Sequence, residues 1–203
     1  MALRILVLFA HPAYQKSRIQ RALLDALHGL DNVTVHDLYE NYPTHLIDPR
    51  REQALLDAHE AIVFQHPFYW YSAPSLVKEW QDLVLEHGYA YGETGTALRG
   101  KPTFSALSTG GPRESYRRGG YNHFTVREFL APFEQTARLC GMTWLAPYVV
   151  HGSFQRTDAA LAAAAAGYRR VLERLGAGTL PLAAAGQAEY LNDLPGEGSH
   201  HAT

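Results

Sequence analysis

Short apolar runs, interrupted by polar turns, predict the strands of this chain. Residues 3–10 are apolar at every position except Arg4, which is typical of a strand buried on both faces. Residues 61–64 form a second unbroken apolar run, whereas residues 33–38 alternate between apolar and polar side chains. Residues 103–108 predict a fourth strand, and residues 142–151 predict a fifth. Pro147 places the fifth strand at a sheet edge or a bulge.

Apolar residues at helical spacing separate these strands. They predict helices over residues 19–30, 49–58, 74–87, 126–137 and 159–175. Strand and helix therefore alternate five times, which predicts a five-stranded parallel sheet with helices on both faces. Right-handed crossovers then give a three-layer α/β/α sandwich of the flavodoxin-like type, with strand order 2-1-3-4-5.

The alternating pattern fits one domain, residues 1–176, followed by a C-terminal extension, residues 177–203. From residue 176 onward the chain contains five glycines and two prolines. This composition predicts an irregular extension with a short helix near residues 188–194 and a disordered end.

Bulk composition excludes several classes of protein. The formal net charge of −2 gives no electrostatic reason for binding nucleic acid. The single cysteine excludes an internal disulfide and fits a reducing compartment. The apolar start is too short for a secretory signal, and no run approaches a transmembrane helix, so we expect a cytoplasmic protein. No zinc motif occurs and the histidines are scattered, so we expect no metal site.

Three loops bring candidate chemistry to one edge, because the carboxyl ends of parallel strands lie together. The first loop, residues 11–20, starts a helix, and free N–H groups at a helix start suit a phosphate. The second, residues 67–73, carries Phe68-Tyr69-Trp70-Tyr71 and offers a wall for a planar ring. In the third, residues 108–111, two glycines let the backbone approach a ligand closely.

Each loop taken alone has a plain structural explanation. Ser17 is a natural helix cap, the aromatic residues can fill space between helix and sheet, and Thr-Gly-Gly is a common turn. The three together favour a ligand that combines a phosphate with a planar aromatic ring. The absence of G-x-G-x-x-G and of a P-loop disfavours a Rossmann dehydrogenase and an NTPase.

At these motifs the chain resembles a known family. The residues that carry the resemblance are Ala10-His11-Pro12, Ser17, the run from His66 to Pro74 and Thr109-Gly110-Gly111. They resemble the flavodoxin-like NAD(P)H:quinone oxidoreductases, and most closely the ancillary proteins of bacterial glutathione-regulated potassium efflux systems.

The resemblance implies a homodimer that holds FMN, or alternatively FAD, without a covalent bond. Hydride would pass from NADPH or NADH to flavin N5 and then to a quinone, with ping-pong kinetics. By position, the phosphate end would be held by His11, Ser17, Arg18, Ile19 and Gln20. The flavin ring would be lined by Phe68, Tyr69, Trp70 and Tyr71, and its pyrimidine edge closed by Ser108, Thr109, Gly110 and Gly111.

The family also implies two catalytic residues after the glycine pair. Tyr116 occupies the expected position of the tyrosine. The position of the histidine falls on Asn122, and His123 lies one residue later. The arginines that follow the glycines, Arg113, Arg117 and Arg118, are either ligands for the phosphates of the nicotinamide cofactor or ordinary solvated charges.

A second hypothesis is a regulatory one. The chain would then be an ancillary subunit of a potassium efflux antiporter, with flavin as a structural or redox-sensing ligand. Such a protein would be peripheral at the inner membrane through its partner. An electron-transfer flavodoxin is a third interpretation, but the chain lacks the strong acidity and the Thr/Ser-rich phosphate loop expected of one.

Overall fold

A parallel sheet forms the centre of the structure, which is a computed structural model describing residues 2–195. Five strands follow the order β2-β1-β3-β4-β5. A sixth strand, β6, pairs with the last residues of β4, after the residues of β4 that pair with β5. Their bounds are β1 (Ile5–Phe9), β2 (Val33–Asp37), β3 (Ala61–Pro67), β4 (Pro102–Ser108), β5 (Thr143–Trp144) and β6 (Tyr148–Val150). All pairings between these strands are parallel. The predicted sheet and its strand order are confirmed.

Helices cover both faces of the sheet. One face carries α1 (Arg18–Asp25) and α7 (Asp158–Gly176). The other carries α3 (Pro49–Asp57), α4 (Ser75–Val84) and α6 (Ala131–Leu139). Three short helices complete the set: α2 (Leu38–Asn41), α5 (Val126–Phe129) and α8 (Leu182–Gln187). Within residues 2–195, no helix combines the length and apolar character needed to cross a bilayer.

The apolar strand β1 lies between two hydrophobic cores. Ile5 and Val7 pack into the core under α1 and α7, whereas Leu6 and Leu8 pack into the core under α3, α4 and α6. Because neighbouring side chains of a strand point to opposite faces, an unbroken apolar run is what a strand covered on both sides requires. All residues of β1, β3 and β4 are buried, whereas the edge strand β2 is partly exposed.

The predicted fifth strand is broken in two. β5 and β6 flank Pro147, which has no N–H to donate to a ladder. The backbone between them pairs with the C-terminal segment instead: Ala146 N–H donates to Ala185 O, and Leu191 N–H donates to Pro147 O, both at 2.9 Å. The break is therefore the point where the C-terminal segment joins the sheet edge.

Two predicted helices also differ from the observed ones. The helix predicted over 126–137 is α5 followed by α6, because Pro132 near the start of α6 cannot donate to the preceding turn. α1 ends at Asp25, earlier than the predicted residue 30. The chain then turns through Gly29, whose φ of 79° suits glycine.

The C-terminal segment packs against the domain as far as it is described. Leu180, Ala185, Leu191 and Leu194 belong to the core under α1 and α7. Its helix, α8, lies six residues before the predicted short helix, and a 3-10 turn covers Leu191–Asp193. The predicted disordered end, residues 196–203, lies outside the described residues.

A buried carboxylate links three elements on the sheet face that carries α3, α4 and α6. Glu52 of α3 is fully buried. It accepts hydrogen bonds from His36 Nε2–H of β2 at 2.9 Å, from the Tyr42 hydroxyl at 2.6 Å and from Trp80 Nε1–H of α4 at 2.7 Å. Burial raises the pKa of the Glu52 carboxyl, but these hydrogen bonds outweigh burial and hold the pKa below its ordinary value.

Candidate functional site

The three predicted loops meet at the carboxyl edge of the sheet. Ala10 N–H donates to Gln65 O at 2.9 Å, which joins the end of β1 to β3. Phe68 N–H donates to Ser108 O at 2.8 Å, which joins the second loop to the third. Thr109 N–H donates to Val150 O at 3.0 Å, so the end of β6 contributes a fourth loop. The candidate site is built from these four segments.

The first loop combines a buried histidine with a helix start. His11 Nδ1 accepts a hydrogen bond from Ala13 N–H at 3.0 Å, which leaves its proton on Nε2. Burial lowers the pKa of His11. Ser17 is the N-cap of α1, and its hydroxyl accepts from Gln20 N–H at 3.2 Å. The N–H groups of Arg18 and Ile19 donate to no group within residues 2–195, so this turn keeps two donors for an anion.

The side chains that follow Ser17 lie away from this turn. The Arg18 guanidinium pairs with Asp158 at 2.6 Å and donates to Arg156 O. The Ile19 side chain is in the hydrophobic core. The Gln20 side chain is fully buried and donates to Ser108 Oγ at 3.1 Å. Gln20 was predicted to help hold the phosphate end of the ligand; its side chain instead supports Ser108 from inside, and its own N–H is bonded to Ser17.

The second loop holds two aromatic residues in a rare backbone conformation. Tyr69–Tyr71 forms a 3-10 turn in which Trp70 has φ 49° and Tyr71 has φ 63°. Positive φ is costly for bulky residues and is concentrated at functional sites. The Trp70 side chain is 93% exposed. A turn that strains the backbone and exposes a tryptophan is poorly explained by space filling.

The remaining rings of this loop pack against neighbouring rings, although Tyr69 and Tyr71 stay partly exposed. Phe68 is half-buried and packs edge-on against Tyr116 and Phe129, with ring centroids 5.9 and 5.8 Å apart. Tyr71 stacks on Phe129 at 4.9 Å. Tyr69 meets the His11 ring at 5.8 Å, which links the first two loops. The aromatic run therefore has a packed base, and Trp70 projects from it.

The third loop presents free backbone donors. Ser108 and Thr109 are buried, whereas Gly110 is exposed. No group in the described part of the chain accepts the N–H groups of Gly110 and Gly111. A Cβ at Gly110 would lie 3.4 Å from the Phe154 ring, and a Cβ at Gly111 would lie 3.4 Å from the Tyr116 ring. The two glycines thus pass closely between aromatic rings.

The two residues predicted to be catalytic occupy different environments. Tyr116 is buried beneath Gly111, and its hydroxyl donates to no residue of the described range. His123 is exposed, with a φ of 63°, and its N–H donates to Gly120 O. Asn122 accepts a hydrogen bond from the Tyr71 hydroxyl at 3.3 Å. Within residues 2–195, no ring contact joins His123 to Tyr116.

His151 is the residue that the sequence analysis missed. It follows β6, and its ring lies 5.6 Å from that of Tyr116. Its Nδ1 is 3.0 Å from Thr109 Oγ1, and Thr109 also bonds Gly111 O at 2.9 Å. Burial, together with Arg113 and Arg156, lowers the pKa of His151 to about 3. Its position as the last residue of a predicted strand, on the edge shared by the three loops, was the available signal.

Of the three arginines after the glycine pair, two are held in ion pairs. Arg113 pairs with Asp193 at 2.7 Å and with Glu189 at 2.6 Å, and its guanidinium lies 4.5 Å from the centre of the Tyr190 ring. Arg118 pairs with Glu128 at 2.8 Å. Arg117 is exposed. Arg113 therefore fastens the loop after Gly111 to the C-terminal segment.

Comparison with known proteins identifies the family. A family model described as flavodoxin-like fold matches residues 3–172. The chain belongs to this flavodoxin-like family. The predicted resemblance is confirmed as well: the chain is 47% identical over 165 residues to the glutathione-regulated potassium-efflux system ancillary protein KefG of Serratia proteamaculans, which covers 81% of this chain and 90% of the relative.

Two solved structures are similar to this chain over most of its length. General stress protein 14 of Treponema denticola, solved in complex with FMN, has a TM-score of 0.80 and 37% identity, covering 85% of this chain and 99% of the other. A protein of P. pentosaceus described as an NADPH-quinone reductase has a TM-score of 0.77 and 30% identity, covering 84% and 98%.

Proposed function

We propose that this protein is an NAD(P)H:quinone oxidoreductase that holds FMN and transfers hydride from NADPH or NADH to a quinone in a ping-pong cycle. One observation carries the proposal. A strained turn exposes Trp70 next to a loop whose Gly110 and Gly111 N–H groups are free. This pairing of a flat apolar surface with backbone donors suits an aromatic ring whose edge carries acceptors.

The residues present fit a flavin mononucleotide. The free N–H groups at the start of α1 suit its phosphate. The exposed rings of Tyr69, Trp70 and Tyr71 suit the face of its ring system. The FMN complex of the Treponema denticola structure supports this assignment. FAD remains the alternative cofactor.

Bound flavin would supply the hydride chemistry, and the chain would orient and polarise it. Fixed N–H donors at Gly110 and Gly111 stabilise negative charge that gathers at the ligand edge next to them. The Tyr116 hydroxyl is free to donate to a ligand, and Tyr116 and His123 are the catalytic residues we propose. His151 is a positioning residue, because it supports Tyr116 by ring contact and the glycine loop through Thr109.

The first experiment is the visible spectrum of the purified protein. We expect flavin absorbance at about 450 nm that bleaches with NADPH in the absence of oxygen and returns with benzoquinone. Heat release and chromatography then separate FMN from FAD. A colourless protein that takes up neither flavin on reconstitution would contradict the proposal.

Replacing Trp70 with asparagine should separate ligand binding from stability. We expect FMN affinity to fall at least about fivefold, because stacking on an aromatic side chain contributes roughly 1–3 kcal/mol. The free energy of unfolding without flavin should change by less than about 1 kcal/mol, since the side chain is exposed and asparagine tolerates positive φ. Fluorescence titration with FMN and urea unfolding measure the two effects.

The matched control is Tyr121→Asn. Tyr121 is 85% exposed, comparable with Trp70, but does not belong to the three loops. Its replacement should leave FMN affinity within about twofold, because a surface ring outside the site loses no stacking contact. An equal loss of affinity in both variants would argue against Trp70 as a ring platform.

A homodimer is the assembly we propose. Besides Trp70, exposed Phe124 packs on Phe129, which stacks with Tyr71, and exposed Phe154 lies beside Gly110. These rings surround the site, and an exposed apolar patch of this kind favours an interface. Light scattering during size-exclusion chromatography gives the mass directly. A mass equal to one chain, 22.6 kDa, at micromolar concentration would contradict the dimer.

A regulatory role is the second candidate function. The 47% identity to an ancillary protein of a glutathione-regulated potassium efflux system favours it. In this role the chain would be a cytoplasmic protein that associates with an antiporter at the inner membrane. Potassium efflux from cells that contain such an antiporter should then increase when this chain is co-expressed. An unchanged efflux rate would argue against the role.

A further inference from the structure

A chain of buried hydrogen bonds crosses the domain and ends at the candidate site. The Tyr168 hydroxyl of α7 lies 3.0 Å from Gln65 Oε1 of β3. Gln65 Nε2 lies 3.0 Å from Gln20 Oε1 of α1, and Gln20 Nε2 lies 3.1 Å from Ser108 Oγ at the end of β4. Tyr168, Gln65 and Gln20 are fully buried. Four elements are thus linked by polar groups inside a hydrophobic core.

The Tyr168 hydroxyl, at the buried end of these hydrogen bonds, decides which group donates in each of them. In the observed direction the Tyr168 hydroxyl donates to Gln65, and each amide donates to the next residue. If both amides were reversed, the Tyr168 hydroxyl would accept from Gln65, and its own hydrogen would lose the acceptor that Gln65 Oε1 provides. Leaving a buried donor unsatisfied is costly, so the direction in which Tyr168 donates is favoured by roughly fivefold or more.

Because the hydrogen bonds run from Tyr168 toward Ser108, the Ser108 hydroxyl is an acceptor on its buried side. Its oxygen already accepts from Gln20, and its hydroxyl hydrogen is donated to no residue of the described range. A hydroxyl that accepts from one side is left with its hydrogen for a partner on the other. Ser108 lies between the buried chain and the glycine loop, where it is 8% exposed.

We propose that Tyr168, Gln65 and Gln20 are positioning residues that make the Ser108 hydroxyl a hydrogen-bond donor toward the ligand. This chain of hydrogen bonds therefore selects a ligand that has an acceptor, such as a carbonyl oxygen, opposite the Ser108 hydroxyl. This inference rests on the proposed function, since it takes FMN as the ligand of the site. Tyr168 acts at a distance: it contacts no ligand and sets the direction of the bonds that reach one.

A double-mutant cycle on FMN binding tests the proposal. Ser108→Ala removes the donor, and Tyr168→Phe removes the group that fixes the direction. We expect Tyr168→Phe to weaken FMN binding by threefold to tenfold when Ser108 is present, and by less than twofold in the Ser108→Ala background. Fluorescence titration of the purified full-length variants gives the four dissociation constants.

Tyr148→Phe is the matched control. Tyr148 packs beside Tyr168, with ring centroids 5.4 Å apart, and its hydroxyl donates to Ala164 O rather than to Gln65. Its effect on FMN binding should be the same with and without Ser108. An equal effect of Tyr168→Phe in both backgrounds would show a merely structural role and overturn the inference.

The two proposals fail in different ways. If the wild-type protein binds no flavin, the proposed function fails, and the role of Ser108 toward FMN fails with it. If the wild-type protein binds FMN and the cycle shows no coupling between Tyr168 and Ser108, only the present inference fails.

Discussion

Replacing Glu52 with alanine is expected to lower the free energy of unfolding by about 3–5 kcal/mol. The substitution removes a buried acceptor that serves His36, Tyr42 and Trp80. Two or three donors are then left without a partner in the core, and each unsatisfied donor is costly. Urea unfolding followed by circular dichroism measures the loss. The expected effect is a large fraction of the stability of an ordinary domain.

Two further variants test this explanation. Glu52→Gln keeps the shape of the side chain and one acceptor oxygen, so it should cost less than Glu52→Ala. Asp82→Ala removes the carboxylate of an exposed ion pair with Lys78 on α4, the same helix as Trp80. Such a surface pair contributes only about 0.3–0.5 kcal/mol. A loss from Glu52→Ala no larger than that from Asp82→Ala would contradict the role of the buried cluster.

The protein should lose about 4 kcal/mol of stability between pH 7 and pH 5, about 2 kcal/mol for each of two buried histidines. Burial lowers the pKa of His66 to about 4, and burial with two nearby arginines lowers that of His151 to about 3. Each Nε2 is buried with no partner in the described structure. Because the unfolded chain takes up these protons at an ordinary pKa of 6.5, acid favours unfolding throughout this window.

Asparagine variants test the assignment. His66→Asn and His151→Asn remove the titrating rings and keep a polar group near Pro67 O and Thr109. Each should remove up to about half of the pH dependence and the double variant most of it, with the remainder due to His11, whose pKa burial also lowers. The pKa of Glu60 and that of Glu128 are lowered to about 2 by hydrogen bonds from Arg4 and Thr125 respectively. Their stabilisation is lost only below about pH 4.5, outside this window. An unchanged slope in the double variant would contradict the prediction.

The fold could be predicted from the sequence because a strand buried on both faces requires an unbroken run of apolar residues. The run from Leu3 to Ala10 can only be accommodated where both sides of a strand are covered. The breaks were harder to predict. Pro147 signals an irregularity, but only the structure shows that the freed backbone pairs with residues 185 and 191. Pairing between segments so far apart along the chain leaves no periodic signal.

The candidate site was predictable at the level of loops and not of side chains. Parallel topology brings residues 11–20, 67–73 and 108–111 to one edge, and the structure confirms this. Which side chains turn inward depends on packing. Gln20 and Trp70 both lie in predicted ligand loops, yet Gln20 is fully buried and Trp70 is 93% exposed. His151 was missed because it carries no motif and acts through a contact with Thr109.

The C-terminal segment supports the candidate site from outside the strands of the sheet. The matched family region ends at residue 172, whereas Glu189 and Asp193 reach back to Arg113, and Tyr190 packs against His151 at 5.3 Å. A substitution at Glu189 or Asp193 would remove an ion pair of Arg113 and leave the sequence of every strand unchanged. The loop after the glycine pair is therefore held in part by residues that lie outside the matched family region.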